Sequence, residues 1–438
     1  QRRDPVLVTH SGTDQVLVQC FPVPAGGTLR TRLGISAPFL LTPGTVVPEG
    51  TLSFPRFLER NFALTGDLAH EIWLQGRGKY LELPEGLVIA SPGTGQLLAR
   101  GALPPSSFDE QANAVRISLD ALIPKAWAPE GAEDSDQAVL QTLKPVTRDA
   151  ISRLMLVLDG GAGMDGAGEA LAIALDQIPD GTELGLIVAG GSPGQFESLH
   201  VSSPARQADL KRFIQGHEFE GGINAAPSLV AAFDMAQEQS GGAVVWIYGV
   251  QPVTFSGTAS LEQRLERSSG TTHIHALAAV PGINRLVADF AHHPALITEP
   301  RTGLLANDLA RLLRKLTAGA RHYELVRERM PLDDLPIDAQ PASGHLARLW
   351  AGDEASTLQA LPNTSSRESG VKLALRHHLV TPRTGAVVLE TQAQFDQHGL
   401  KPVTVDEVPS VPEPETIALL LLSAALLSIV VLRGRVAA

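Results

Sequence analysis

Apolar and polar positions follow three successive patterns along the chain. From residue 1 to 127 short apolar runs, "PVLVTH", "QVLVQCFPV", "TLRTRLGIS" and "GLVIASP", are set apart by Gly, Pro and Asp. That punctuation predicts short strands and turns, and nothing there has a long helical period. Residues 128–150 include "APEGAEDSDQ", acidic and Pro/Gly-bearing, and are expected to be a solvated linker. Between 151 and 320 the pattern changes. Continuous apolar runs ("RLMLVLD", "ELGLIVAG", "AVVWIYG", "THIHALAAV", "ALITE") alternate with helical stretches ("EALAIALDQI", "PARQADLKRFIQG", "NAAPSLVAAFDMAQEQ", "TASLEQRLERS", "LLANDLARLLRKLTAG"). Strands apolar on both faces, alternating with helices, predict a doubly wound parallel sheet covered on both sides. Ligand sites in such sheets lie at the carboxyl ends of the strands. Residues 321–402 open with the charged, Pro-broken "RERMPLDDLPIDAQPASG". The helical "HLARLWAGDEASTLQAL" follows, then a helix, turn and strand in "KLALRHHLVTPRTGAVVLE", so this segment is expected to be α+β.

The third pattern is the tail. Residues 403–416 are Pro-rich and acidic, Ile417–Leu432 is an apolar run without charge, and 433–438 carries Arg433 and Arg435. A core helix would show a polar face, and this run shows none. At about 1.5 Å per residue it reaches roughly 24 Å, slightly short of a hydrocarbon core of about 30 Å. It is expected to be a single transmembrane helix, with the two arginines holding its end in the cytoplasm and the bulk of the chain outside. Export needs a signal, yet the first thirty residues contain no basic region followed by an apolar one. The export signal is therefore expected upstream of Gln1.

Composition narrows the chemistry. A formal net charge of -12 and a pI of about 5.5 argue against a nucleic-acid partner. One cysteine, Cys20, leaves no internal disulfide and no Cys-based zinc site, and is expected to be a half-buried strand thiol. His273 and His275 fall on one face of a strand, a spacing that suits zinc, but no third ligand is close in sequence. A core or hydrogen-bonded role is expected for them. His292–His293 and His377–His378 are expected to divide between the two sides of their elements, as surface or cap residues. No G-x-S-x-G elbow, P-loop or dinucleotide fingerprint occurs, so no enzymatic activity and no cofactor are expected. A hydrolase using one of the histidines is the last-ranked alternative.

"LMLVLDGGAGMDGAGEAL" resembles the first strand and loop of a von Willebrand factor A domain. That family's Asp-x-Ser-x-Ser is matched at Asp159, with a following hydrophobe at Met164. Gly161 and Gly163 stand where the serines belong. Ile223, in "EGGINAAPSL", stands in place of the second loop's threonine. Tyr248 and Gly249 stand where the third loop would bring its aspartate. The resemblance implies the fold, while the glycine and isoleucine side chains supply no oxygen ligands for Mg²⁺ or Mn²⁺, and one carboxylate plus water does not hold the ion at useful affinity. No metal is expected, and Asp159 is expected to cap a helix or anchor a loop. A metal-dependent adhesin is the runner-up. "VLVQCFPVPAGGTLRTRLGISAPF" and "FPRFLERNFAL" resemble the β-rich vault/inter-alpha-trypsin (VIT) domain that precedes such A domains, and "ARLWA" resembles the segment that follows them. "VPEPE", the apolar run and the basic end resemble a PEP-CTERM sorting signal, carried by Pro412, Glu413 and Pro414 with Arg433 and Arg435. That resemblance implies an exosortase-type processing enzyme as one partner. It also implies residence at the inner membrane of a Gram-negative bacterium, facing outward, or release to the cell surface after processing. The expected role is an exported, membrane-anchored interaction protein of the cell envelope with an unidentified envelope or extracellular protein partner.

Overall fold

The computed structural model describes residues 6–388 except 12–14, 21–33, 44, 56–59, 62–69, 77, 94–95, 109–113, 120–123, 132–135, 148, 191–197, 238–241, 254–257, 268–271, 320 and 362. The sorting-signal residues Pro412, Glu413, Pro414, Arg433 and Arg435, and the apolar run 417–432, lie outside the described residues. Among the described residues no helix is long and apolar enough to cross a membrane.

Six strands form the central sheet, in the order His200–Val201, Glu183–Ala189, Arg153–Asp159, Gly242–Tyr248, His273–Ala278 and Leu296–Glu299. Numbered along the chain this is 3-2-1-4-5-6, a doubly wound order. All neighbours are parallel except the short His200–Val201 edge, which runs antiparallel to the Glu183 strand. The Arg153 and Gly242 strands are buried at every residue, which explains why they read as unbroken apolar runs. Even residues of the first strand, Leu154, Leu156 and Leu158, face one helical layer: α1 (Asp165–Ala174), α2 (Pro204–Gln215) and α6 (Leu305–Thr317). Odd residues, Met155 and Val157, face the other: α3 (Ala226–Gln237), α4 (Ala259–Arg267) and α5 (Arg285–Phe290).

Local chemistry sets the helix ends. Ser203 caps α2 by accepting from Arg206 N, and Pro204 fills the first helical position, where no amide is needed. Asn284 caps α5 by accepting from Val287 N at 3.2 Å. In α6, Leu305, Leu309, Leu312, Leu313 and Leu316 repeat at helical spacing and are buried together. Asp308, in its first turn, is 1% exposed and bound by Arg301 and Arg311, so its charge is compensated and held below the usual carboxylate range.

The expected linker at 128–150 differs. Gln137–Thr147 is an eleven-residue strand with Ala138, Val139 and Leu140 buried. It pairs antiparallel with Arg321–Pro331 along its whole length, from Gln137–Pro331 to Thr147–Arg321. The doubly wound domain is thus inserted between two strands of one sheet, order Arg321–Pro331, Gln137–Thr147, Lys125–Pro129, Gln340–Pro341. Most of the acidic stretch that suggested a linker, residues 132–135, lies outside the described residues, and the charged face of the partner strand hid the pairing: Arg327 and Arg329 bond to Gln141 and Glu130. Helix α7 (His345–Ala360) covers this sheet through Leu346, Ala347 and Trp350 against Ala128 and Val139, which places "ARLWA" in a core. Helix α8 (Thr364–Arg376) packs on α7 at Gly370, where a Cβ would fall 2.8 Å from Gln359 Cγ.

The N-terminal part is β-rich as expected, with a sheet of Leu40–Leu41, Glu49–Ser53, Ala114–Ser118 and Lys79–Glu82, and another of His70–Gly76, Gln96–Leu103 and Leu87–Gly93. A third sheet joins the two ends of the described chain, Val16–Cys20, Val6–His10 and Ala386–Val388. Cys20 corrects its expectation. It is exposed, because its strand is the edge of that sheet.

Candidate functional site

The strand order reverses between the Arg153 and Gly242 strands, and the crevice at their carboxyl ends is where a doubly wound sheet binds ligands. Asp159 ends the first strand there, and Tyr248 ends the second, with Gly249 directly after it. Asp159 is 2% exposed. One carboxylate oxygen accepts from Trp246 Nε1 at 2.8 Å and the other from the Gly249 amide at 2.8 Å. Both partners are neutral. Burial therefore dominates and pushes the Asp159 pKa up to about 6, against the opposing pull of the two hydrogen bonds. Asp159 is the loop anchor of the sequence reading and not a helix cap: α1 begins at Asp165 after Met164, with no side-chain cap.

The surrounding positions are filled by apolar groups. Met164 is 1% exposed, and its sulfur lies 2.9 Å from where a Cβ on Gly249 would sit. Ile223 occupies the space a Cβ on Gly190 would take, and its side chain also lies 3.8 Å from the Cβ position of Gly161. Gly163 has φ +86°, a conformation that strains a serine. Tyr248 is buried, its ring 5.0 Å from that of Trp246. A divalent ion needs several convergent oxygens, and these residues do not fit one. Among the described residues no group of three or more His, Cys, Asp or Glu side chains is placed to hold a metal.

Asn284 and Gln251 complete the crevice, and the sequence reading missed both. Asn284 Nδ2 donates to Gly249 O at 2.9 Å while its Oδ1 caps α5. Gln251 is 2% exposed and its backbone bridges Ile283 O and Arg285 N. The signal for Asn284 was available as a cap residue directly before "RLVADF". Trp246 had no signal of its own inside an apolar run.

The histidines divide as follows. His275 is buried, and its Nδ1 lies 2.8 Å from Glu299 Oε1, which also meets Lys315 Nζ at 3.5 Å. It is the hydrogen-bonded residue expected, and His273 lies on the same face with ring centroids 6.3 Å apart. His292 and His293 do not split between faces, since their rings approach to 4.1 Å. His377 is the buried C-cap of α8, and His378 follows it at φ 53°. A Ser–His contact does occur, Ser36 Oγ to His345 Nδ1 at 2.6 Å, and ties the loop before Leu40 to the first turn of α7.

No protein-family model and no curated protein matches the chain. Among solved structures it is similar to a von Willebrand factor type A protein from Catenulispora acidiphila, at 15% identity over 43% of this chain and 49% of that one, with a TM-score of 0.32. It is also similar to the manganese-loaded TRAP protein of Plasmodium vivax, at 12% identity over 44% of this chain and 82% of that one, TM-score 0.29. A third is the PilB minor pilin from Streptococcus sanguinis, at 8% identity over 62% of this chain and 85% of that one, TM-score 0.26. The chain spans about half the length of the first of these. Its strand order and register, independent of those likenesses, make residues 153–317 a doubly wound α/β domain whose switch-point crevice is closed around Asp159.

Proposed function

We propose that the chain is an exported, membrane-anchored protein of a Gram-negative cell envelope that binds a protein partner without a metal ion. In this reading its doubly wound domain is von Willebrand factor A-like, its N-terminal part is VIT-like, and its tail is a substrate of exosortase-type sorting. One observation carries the metal-free part: both Asp159 oxygens are engaged by Trp246 and Gly249, with Met164 and Ile223 packed around them. The order Pro412-Glu413-Pro414, apolar run, Arg433 and Arg435 supports the sorting part.

Titration calorimetry of Mg²⁺ and Mn²⁺ into the purified protein should give no stoichiometric heat. A clear one-to-one heat would establish the metal-dependent adhesin instead. Orientation has its own test. Replacing Arg433 and Arg435 together by glutamate should weaken stop-transfer and raise the unanchored fraction. Unchanged retention and orientation in the double variant would remove the arginines from the reading.

A further inference from the structure

Against a formal net charge of -12, one groove is cationic. It lies between the exposed side of α8 and the turn Thr381–Thr384, holds about 500 Å³, and is lined by Thr364, Arg367, Glu368, Val371, Lys372 and Arg383. Three cations face one carboxylate. The walls are braced before any ligand arrives. Thr381 and Thr384 exchange backbone hydrogen bonds at 3.1 Å. Thr381 Oγ1 donates to Gln359 Oε1 of α7 at 2.9 Å, and Thr384 Oγ1 donates to Leu379 O at 2.8 Å. Arg367 Nε donates to Leu361 O at 2.8 Å, which holds the stem of that side chain. The close approach at Gly370 fixes α8 on α7. Arg367, so held on a braced wall, needs little reorganisation to meet an anion.

We propose that this groove docks the chain's own acidic strip, Asp406–Glu415. Residues 403–416 carry Asp406, Glu407, Glu413 and Glu415 and no cation. Val408, Pro409 and Val411 lie between the two acidic pairs and suit the apolar surface of Val371. Reach is sufficient: Arg383 is five residues before Val388, and the 18 residues from Val388 to Asp406 span up to roughly 60 Å. Exposed ion pairs are individually weak, but tethering raises the effective concentration of the strip to about the millimolar range. The groove then competes with any enzyme or partner that reads the strip. This stands on groove geometry and charge, whether or not the strip is ever cut.

Zero-length carbodiimide cross-linking of the full-length protein in detergent, read by peptide mass spectrometry, tests it. Lys372 should link to Asp406, Glu407, Glu413 or Glu415 within one molecule, at a yield independent of protein concentration. The double variant Arg367→Glu/Arg383→Glu keeps the reactive Lys372 and should lose about tenfold of that cross-link, as should raising the salt to about 1 M. It also gives up the Arg367 Nε bond to Leu361 O, so the single variant Arg383→Glu, which keeps that bond, is run beside it and should lose the cross-link in the same direction. Far-ultraviolet circular dichroism of both variants should match the parent. Links from Lys372 confined to Glu368 would overturn the proposal. Links to acids elsewhere, or concentration-dependent links between copies, would do the same and identify a different occupant.

Discussion

Replacing Asp159 by alanine should lower stability to urea denaturation by about 2–4 kcal/mol. The variant strands two donors, Trp246 Nε1 and the Gly249 amide, each of which now gives 2.8 Å hydrogen bonds to the carboxylate. Neither is placed to turn to solvent, because Trp246 is 0% exposed and Gly249 lies beneath Met164. A buried donor left without an acceptor costs about 1–3 kcal/mol, more than the hydrogen bond itself contributes net. The loss should act on the whole sheet, since Asp159 joins its two central strands at the switch point. A loss below about 1 kcal/mol would mean that the crevice admits water and that the anchor role is wrong.

The same residue gives a pH signature. Its folded pKa, about 6, lies above its ordinary value of 3.8, so ionisation is penalised in the folded state. Its contribution to stability is complete below the ordinary value and is lost as pH rises through about 6. The advantage of the parent over Asp159→Ala should therefore grow by about 1–2 kcal/mol from pH 7.5 to pH 5. Glu299 and Asp308, both held below the usual carboxylate range, push overall stability the other way as pH falls. They are common to both proteins and cancel in the difference. A difference that stays flat across this range would show that Asp159 is solvated and titrates normally.

The doubly wound sheet was legible because burial on both faces leaves continuous apolar runs in its central strands, Leu154–Leu158 between Arg153 and Asp159, and Ala243–Ile247 before Tyr248. Helix starts were legible where a cap spells itself out, as at Ser203-Pro204. The sheet that flanks the domain was not. Gln137–Thr147 and Arg321–Pro331 pair across more than 170 residues of intervening chain, and each alone is a mixture of charged and apolar positions. Period and composition are local, and a ladder between distant strands leaves no local mark when one face carries arginines and glutamates.

The site was half legible. Gly161, Gly163, Ile223 and Gly249 showed by residue type that their side chains bring no oxygen to the crevice. What fills the crevice was not written in any spacing. The contact of Ile223 with Gly190, the cover of Met164 on Gly249 and the Trp246–Asp159 hydrogen bond are products of loop closure in three dimensions.

Replacing Pro412 and Pro414 together by alanine should stall removal of the tail. On the proposed reading the parent protein, produced in a host with an exosortase, loses its apolar segment, and intact mass after export falls short of the full chain by that segment. Proline is excluded from a helix interior and lacks a backbone donor, and on that reading the two prolines around Glu413 are what the enzyme needs in its recognition strip. Alanine is the strongest helix former and would let the apolar helix continue outward through the recognition residues. The variant should therefore keep its full-length mass and stay membrane-bound, while the urea midpoint of its folded part remains that of the parent. Uncut parent protein would show that the strip is a linker and the apolar run a permanent anchor. Parent and variant cut equally would show that the enzyme reads the apolar run or the arginines and not the Pro-Glu-Pro strip. The docking groove on α8 makes a separable claim, since a strip that docks but is never cut still cross-links to Lys372, and a strip that is cut without docking does not.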